Sequence, residues 1–181
     1  MDATPLPPEW PALAERLMPE VHPRRRREWA FARFALARNL AKLGLALTPD
    51  NYRPEGYQRL TDFPVRFSLS HTKSWVAALV SAQADAPGLG VDVEEKSRRL
   101  SPDVERRMFH SLDDSELSPL ERWALKEAAY KALSEGEQEG IWLNSISLRA
   151  SGAVFRKEEC VGNWQLVPHE ELVLGIVQRR C

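Results

Sequence analysis

The chain of 181 residues is long enough to form one substantial domain or two small halves that pack together. Hydrophobic residues make up 43% of it and charged residues 28%, as in ordinary soluble globular proteins. The formal net charge of -1 gives no general attraction to nucleic acid or to a membrane surface, and no stretch reaches the about 18 apolar residues of a membrane-spanning helix. The two cysteines, Cys160 and Cys181, fit neither a metal motif nor a disulfide framework, so we expect a cytoplasmic protein with free thiols.

The longest helix of the N-terminal half is predicted over residues 22–44. A proline-rich lead-in and a short helix over residues 12–18 precede it, and Gly44 supplies a C-terminal stop. Its expected buried side consists of apolar residues at helical spacing, namely Trp29, Phe34, Leu36, Leu40 and Leu43.

Four consecutive arginines, from Arg24 to Arg27, begin this helix. Positive charge at a helix N-terminus opposes the macrodipole, so the cluster is not there for helix stability. A basic cluster beside free backbone N–H groups suits a phosphate. One alternative is that the arginines contact the acidic surface of a partner protein. The other is that they are solvated and bind no ligand.

Two strands are predicted over residues 65–69 and 75–80, between a loop over 48–62 and a polar link over 83–87. The turn between the strands contains Ser70, His71 and Lys73 within a few residues. A hydroxyl, an imidazole and an ammonium group together offer several hydrogen-bond donors to a phosphate. A purely structural histidine is the alternative.

An acidic strand is predicted over residues 88–94, because Val91 and Val93 alternate with Asp92 and Glu94. The two carboxylates then point to the same side, roughly 7 Å apart. A divalent cation turns their repulsion into attraction, and oxygen donors without a nearby Cys or His favour Mg²⁺ or Mn²⁺ over zinc. A solvated acidic edge strand is the alternative.

Three helices are predicted after this strand, over residues 102–109, 111–117 and 118–133. The last begins with a capping box, in which Ser118 and Glu121 satisfy each other's backbone N–H groups. Good helix formers fill the rest of it.

One face of this last helix carries Trp123, Glu127 and Lys131 at spacing i, i+4 and i+8, with Lys126 on the flank. Glu127 would add a third carboxylate to the two on the acidic strand. The alternative is a solvated face with one Glu–Lys pair.

A turn over residues 134–140 leads into strands that close a second sheet. These strands are predicted over residues 141–150, 153–156, 163–167 and 172–178. The order of elements predicts an α+β fold made of two similar α/β halves that pack as a pseudo-dimer, with residues 1–84 in the first half and 85–181 in the second.

Three sequence blocks together resemble the 4′-phosphopantetheinyl transferases. They are GVDVE at residues 90–94, WALKEAAYK at 123–131 and FSLSHTKSWVAALVS at 67–81. The third block is similar to the single-chain members of the family, the type that activates surfactin synthetase. The resemblance covers roughly residues 24–149, and the length of the chain is similar to that of monomeric members rather than to the shorter homotrimeric ones.

The resemblance implies a reaction and a set of roles. The enzyme would transfer 4′-phosphopantetheine from coenzyme A to a serine of an apo acyl or peptidyl carrier protein of fatty acid, polyketide or nonribosomal peptide synthesis. Metal ligands for Mg²⁺ would be Asp92, Glu94 and Glu127. The catalytic group would be Glu127 as the base that takes the serine proton, with Lys126 and Lys131 neutralising phosphate oxygens. Contacts to the coenzyme A phosphates would come from Arg24, Arg27, Arg38, Ser70, His71, Lys126 and Lys131.

The chain departs from the family pattern at one place. Many relatives carry a Gly-Lys-Pro element in the region of residues 48–62, and its lysine helps to hold coenzyme A; this chain has none, and Arg53 and Arg59 are candidate substitutes. Two other functions are open, and the missing element favours only the second of them. One is a metal-dependent phosphohydrolase that acts on coenzyme A or a nucleotide, and the other is a non-catalytic module that binds coenzyme A or a carrier protein.

Overall fold

Two antiparallel sheets organise the chain in the computed structural model, which describes residues 5–55, 58–83 and 88–179. The first sheet consists of β1 (Pro54–Glu55), β2 (Arg59–Leu60), β3 (Phe63–His71) and β4 (Val76–Ser81), in that order. The second consists of β5 (Leu89–Glu95), β6 (Ile146–Leu148), β7 (Ala153–Arg156), β8 (Glu159–Val167) and β9 (Leu172–Arg179), in the order β5-β9-β8-β7-β6. The predicted mixture of helices and strands is confirmed, and the similarity of the two halves stays a prediction.

The helices are α1 (Glu9–Leu17), α2 (Pro23–Ala41), α3 (Pro102–Met108), α4 (Pro119–Ala132) and α5 (Glu135–Gln138), with a 3₁₀ turn at Leu143–Ser145 before β6. The capping box predicted for α4 is present, since Glu121 N donates to Ser118 Oγ and Ser118 N donates to Glu121 Oε2. Helix α2 ends before Leu43, whose side chain is 46% exposed, so its predicted place in the core was wrong. Gly44 follows with φ 74°, the left-handed conformation expected of a helix stop.

Parts of four sequence predictions lie outside the described residues. They are the first four residues of the lead-in, residues 56–57 of the loop, residues 84–87 of the polar link, and Cys181. The boundary proposed between residues 84 and 85 also lies there, so the division into two halves stays a prediction.

Residues 111–117 form turns rather than the predicted helix. The cause lies in two aspartates whose carboxylates accept hydrogen bonds from the backbone. Asp113 accepts from the N–H groups of His110 and Leu148, and Asp114 accepts from that of Glu116. Such local bonds offer the backbone an alternative to the helical ones.

Strand β5 lies at the edge of the second sheet, and side chains of the first half take up its free backbone groups. Val91 N donates to Ser68 Oγ over 3.0 Å, and Val93 N donates to Ser70 Oγ over 3.3 Å. Gln58 completes the row, because its Nε2 donates to the carbonyl oxygen of Leu89 over 2.5 Å. Two buried serines of β3 thus replace a neighbouring strand, which fixes the first half against the acidic strand.

On its face, β5 packs against α4 at a distance that only glycine permits. A Cβ on Gly90 would lie 1.7 Å from the carbonyl oxygen of Ala128, and one on Gly88 would lie 1.8 Å from that of Ala132. The absence of side chains at these two positions lets the strand and the helix backbones approach closely. The acidic residues that follow on β5 therefore lie directly beside α4.

Buried apolar side chains form two clusters, one for each sheet. Leu36 and Leu40 of α2 pack with Val65 of β3 in the first, and Leu125 of α4 packs with Val177 of β9 in the second. Across the described residues, every helix is too short or too polar to cross a membrane.

Candidate active site

Asp92 lies in the middle of β5, almost fully buried, with its two carboxylate oxygens in different surroundings. Oδ1 accepts hydrogen bonds from Ser70 Oγ over 2.7 Å and from Lys131 Nζ over 2.6 Å. Oδ2 is buried and accepts no hydrogen bond from the described residues. Because an unsatisfied buried carboxylate oxygen is costly, this atom indicates a site for a cation or a donor.

Glu94 lies two residues further along β5, on the same face, and is also buried. Its Oε1 accepts a hydrogen bond from the indole Nε1 of Trp123 over 2.9 Å and is ion-paired with the guanidinium of Arg98. The predicted arrangement, in which the two carboxylates share one side of the strand, matches these positions.

Glu127 is half-buried on α4, one helical turn after Trp123 and one before Lys131. Burial raises the pKa of its carboxyl, the negative charge of Asp92 raises it further, and the positive charge of Lys131 acts against both. The predicted row of Trp123, Glu127 and Lys131 therefore lies against the acidic strand. Trp123 contacts Glu94, and Lys131 contacts Asp92.

These carboxylates fit a hard cation in donor type and in charge. In the described parts of the chain, no three side chains of His, Cys, Asp or Glu already converge closely enough to hold a metal ion. The unpartnered Asp92 Oδ2 and the raised pKa of Glu127 both indicate surplus negative charge that a cation would offset. The assignment of Asp92, Glu94 and Glu127 as ligands stays a prediction.

Lys126 does not join this group, contrary to the role expected for it as a contact to phosphate. Its side chain is fully buried, Nζ pairs with Asp113 Oδ2 over 2.7 Å, and Nζ also donates to the carbonyl oxygen of Met108 over 2.6 Å. Burial lowers the pKa of this lysine, and Asp113 opposes the shift. In this structure the ammonium group is enclosed by Asp113 and Met108, so its predicted contact to a phosphate would require this pair to open.

Ser70 also has a different partner from the expected one. Its single hydroxyl proton is donated to Asp92, and its oxygen accepts from Val93 N. A hydroxyl group has one donor only, so in this arrangement none is left for a coenzyme A phosphate. The hydroxyl group orients Asp92, and its predicted contact to coenzyme A stays a prediction.

His71 ends β3, with Nδ1 3.9 Å from Oε2 of Glu28. Burial lowers the pKa of the imidazole, Glu28 raises it, and the positive charges of Arg25, Lys131 and Arg33 lower it. The charge of Lys131 reaches His71, which connects this histidine to the carboxylate site.

A basic cleft of about 500 Å³ lies beside His71, lined by the start of α2 and by the turn after β3. Arg24 lines it together with Lys73, and Arg24 Nε contacts Glu28 Oε1 over 2.9 Å. Arg27 lines an adjoining cleft of about 410 Å³, where its guanidinium lies over the ring of Phe31. The structure thus brings Arg24, Arg27 and His71 to one continuous surface.

Arg38 lies apart from that surface. It is exposed in the last turn of α2, about 21 Å along the helix axis from Arg24 at 1.5 Å per residue. Arg33, like Arg25 at the start of the same helix, has a positive charge that lowers the pKa of His71. Its guanidinium lies 4.3 Å from the ring centroid of Trp29, and its Nε donates to the hydroxyl of Tyr52 over 3.3 Å. Arg33 is therefore better placed than Arg38 to contact a ligand near His71.

Residues 88–176 match a family model, ACPS, described as the 4'-phosphopantetheinyl transferase superfamily. The match includes Asp92, Glu94, Glu127 and Lys131, and the basic cleft at the start of α2 lies outside it. No curated protein matches the chain.

Three residues that shape this site and its surroundings were not singled out from the sequence. Arg98 lies four residues after Glu94, and Glu28 lies four residues after Arg24. This is the spacing of an ion pair on a helix, so the sequence contained a usable signal for Glu28, which lies in a predicted helix. Asp113 had no such signal, because it lies in a turn and meets Lys126 through the tertiary fold.

Proposed function

We propose that this chain transfers the 4′-phosphopantetheine group of coenzyme A to a serine hydroxyl of an apo carrier protein and releases 3′,5′-ADP. The observation that carries the proposal is the convergence of two elements: Asp92 and Glu94 lie on one face of β5, and Lys131, in the same row of α4 as Glu127, pairs with Asp92 over 2.6 Å. The superfamily match to residues 88–176 supports phosphopantetheine transfer in general. Mg²⁺ dependence, the single-chain subtype, a monomeric state and a cytoplasmic location are finer parts of the same proposal.

Coenzyme A carries a pyrophosphate and a 3′-phosphate, so its binding needs several cations. Lys131 is the ammonium group nearest the carboxylates and would contact the pyrophosphate. Arg24, Arg27 and His71 line or border the clefts and would hold the 3′-phosphate end. Arg33, whose charge reaches His71, takes the place that the sequence comparison gave to Arg38.

Glu127 would take the proton of the carrier serine. Burial and the negative charge of Asp92 raise the pKa of its carboxyl in the metal-free protein, and a carboxylate beside the site can accept the proton directly or through water. The serine oxygen then forms a bond to the β-phosphorus, the bond from this phosphorus to the bridging oxygen breaks, and the bridging oxygen leaves with 3′,5′-ADP. A Mg²⁺ ion held by Asp92, Glu94 and Glu127 would offset the charge that develops on the pyrophosphate.

Intact-protein mass spectrometry tests the proposal. An apo carrier protein is incubated with this chain, coenzyme A and Mg²⁺, and the expected result is a mass increase of one phosphopantetheine that EDTA abolishes. Release of phosphopantetheine without any carrier would identify a phosphohydrolase instead. Binding of coenzyme A with no transfer to any of several carriers would identify a binding module.

The variant Glu127→Gln separates the role of base from that of ligand. We expect coenzyme A binding, measured by calorimetry, to stay within about twofold, while turnover falls about 100-fold or more, the range of general acid–base catalysis. Glu158→Gln makes the same chemical change in the exposed turn between β7 and β8 and serves as the control. A parallel fall in binding and turnover for Glu127→Gln would show that this residue acts only as a ligand.

A further inference from the structure

The carboxylates of Asp92 and Glu94 share a pattern that the sequence does not show. In each, one oxygen accepts hydrogen bonds from two donors on other elements. Asp92 Oδ1 accepts from Ser70 and Lys131, and Glu94 Oε1 accepts from Trp123 and Arg98. Asp92 Oδ2 is buried and accepts no hydrogen bond from the described residues, and the two hydrogen bonds found at Glu94 there both go to Oε1. Each carboxylate is thus fixed through one oxygen and leaves the other available.

Two side chains, those of Trp123 and Arg98, hold the carboxylate of Glu94 in place. The indole of Trp123 has one hydrogen-bond donor, Nε1, and directs it at Oε1 over 2.9 Å. The guanidinium of Arg98 pairs with the same oxygen and lies 5.1 Å from the centroid of the indole ring. The ring therefore supports the arginine while its N–H group holds the carboxylate. An oxygen that accepts from two donors has both lone pairs engaged.

We propose that Trp123, supported by Arg98, is a positioning residue that fixes Glu94 through Oε1 and leaves Oε2 to bind the divalent cation. The inference rests on the proposed function, because it concerns how the same site binds its metal. Helix α4 then has a double role, since it carries Glu127 and, one turn earlier, the group that orients the opposite ligand. Hydrogen bonds to ligating carboxylates affect metal affinity in this way in other proteins, with losses of 10- to 100-fold when they are removed.

The variant Trp123→Phe removes the indole N–H group and keeps an aromatic ring for packing. Mn²⁺ replaces Mg²⁺ as the probe, and free Mn²⁺ is measured by electron paramagnetic resonance with and without coenzyme A. We expect the dissociation constant for Mn²⁺ to rise about 10-fold. Coenzyme A affinity in the absence of metal and the thermal midpoint should stay close to those of the unmodified protein.

Trp164→Phe is the matched control. Trp164 is half-buried in β8, and its Nε1 donates to the carbonyl oxygen of Arg149 over 3.0 Å, away from the carboxylates. This change removes the same kind of hydrogen bond, so it should have a similarly small effect on the thermal midpoint and leave Mn²⁺ affinity unchanged.

A spectroscopic measurement reports on the hydrogen bond itself. The chain has six tryptophans, and the indole ¹⁵N–¹H signal of Trp123 is identified as the one missing in Trp123→Phe. This signal should shift when Mg²⁺ is added, and that of Trp164 should not.

The outcomes separate the inference from the proposed function. Mn²⁺ binding by the unmodified protein together with equal affinity in Trp123→Phe would overturn the positioning role and leave the function standing. Equal losses of Mn²⁺ affinity, coenzyme A affinity and stability would also overturn it, because they indicate a packing role alone. An unmodified protein that binds no Mn²⁺, with or without coenzyme A, would overturn both.

Discussion

The variant Asp92→Asn should lose phosphopantetheine transfer by about 100-fold or more while its fold persists. Asparagine keeps an oxygen that can accept from Ser70 Oγ and Lys131 Nζ, so the local hydrogen bonds remain. It removes the negative charge, and charge stabilisation by a bound metal is worth several kcal/mol, of which each 1.36 kcal/mol is about tenfold in rate. Turnover is measured by the mass change of the carrier, and folding by circular dichroism.

Asp62→Asn, in the exposed turn between β2 and β3, makes the same change away from the site and should transfer at the normal rate. If Asp92→Asn kept full turnover and still needed Mg²⁺, Asp92 would not be a metal ligand.

The choice of asparagine over alanine follows from the partners of Asp92. Repulsion between neighbouring carboxylates would by itself make removal of this side chain stabilising. The structure adds an opposing effect, because Lys131 Nζ lies 2.6 Å from Asp92 Oδ1 and its side chain is only 14% exposed. Asp92→Ala would leave that ammonium group largely buried without its partner, which costs about 3–5 kcal/mol for a buried pair. A loss of activity in the alanine variant would then mix chemistry with folding.

Local periodicity explains which parts of the site were predictable from the sequence. The alternation around Asp92 depends only on the strand period, and the row of Trp123, Glu127 and Lys131 depends only on the helix period. The helix start was equally local, because a capping box joins residues three positions apart. Each of these features is set by a few neighbouring residues.

The features that were missed depend on contacts between distant residues. Gln58 bonds to Leu89 and Lys131, which lie 31 and 73 positions away, so nothing in its neighbourhood indicates its role between the halves. Ser70 was predicted in the turn after a strand, but it lies within β3, and which group receives its proton is decided by how β3 lies against β5. A helical wheel likewise places Lys126 on the flank of the row without showing that the turn at Asp113 covers it.

The largest effect on stability is expected for Lys126→Met, which should lower the free energy of unfolding by about 3–5 kcal/mol. Methionine fills the space of the lysine stem, but the carboxylate of Asp113, with 2% of its side chain exposed, loses its ion partner. Asp113 still accepts from His110 N and Leu148 N, and two backbone N–H groups do not balance a buried charge. Urea unfolding followed by circular dichroism measures the change.

A second substitution separates the loss of the pair from the loss of packing. In the double variant Lys126→Met/Asp113→Asn the buried charge is gone, so most of the lost stability should return, although each single variant is destabilised. Coenzyme A affinity of the folded double variant should match that of the unmodified protein, because neither residue contacts the ligand in this account. If Lys126→Met instead kept its stability and lost coenzyme A affinity, the lysine would be a phosphate contact after all, and the buried pair would have to open when the ligand binds.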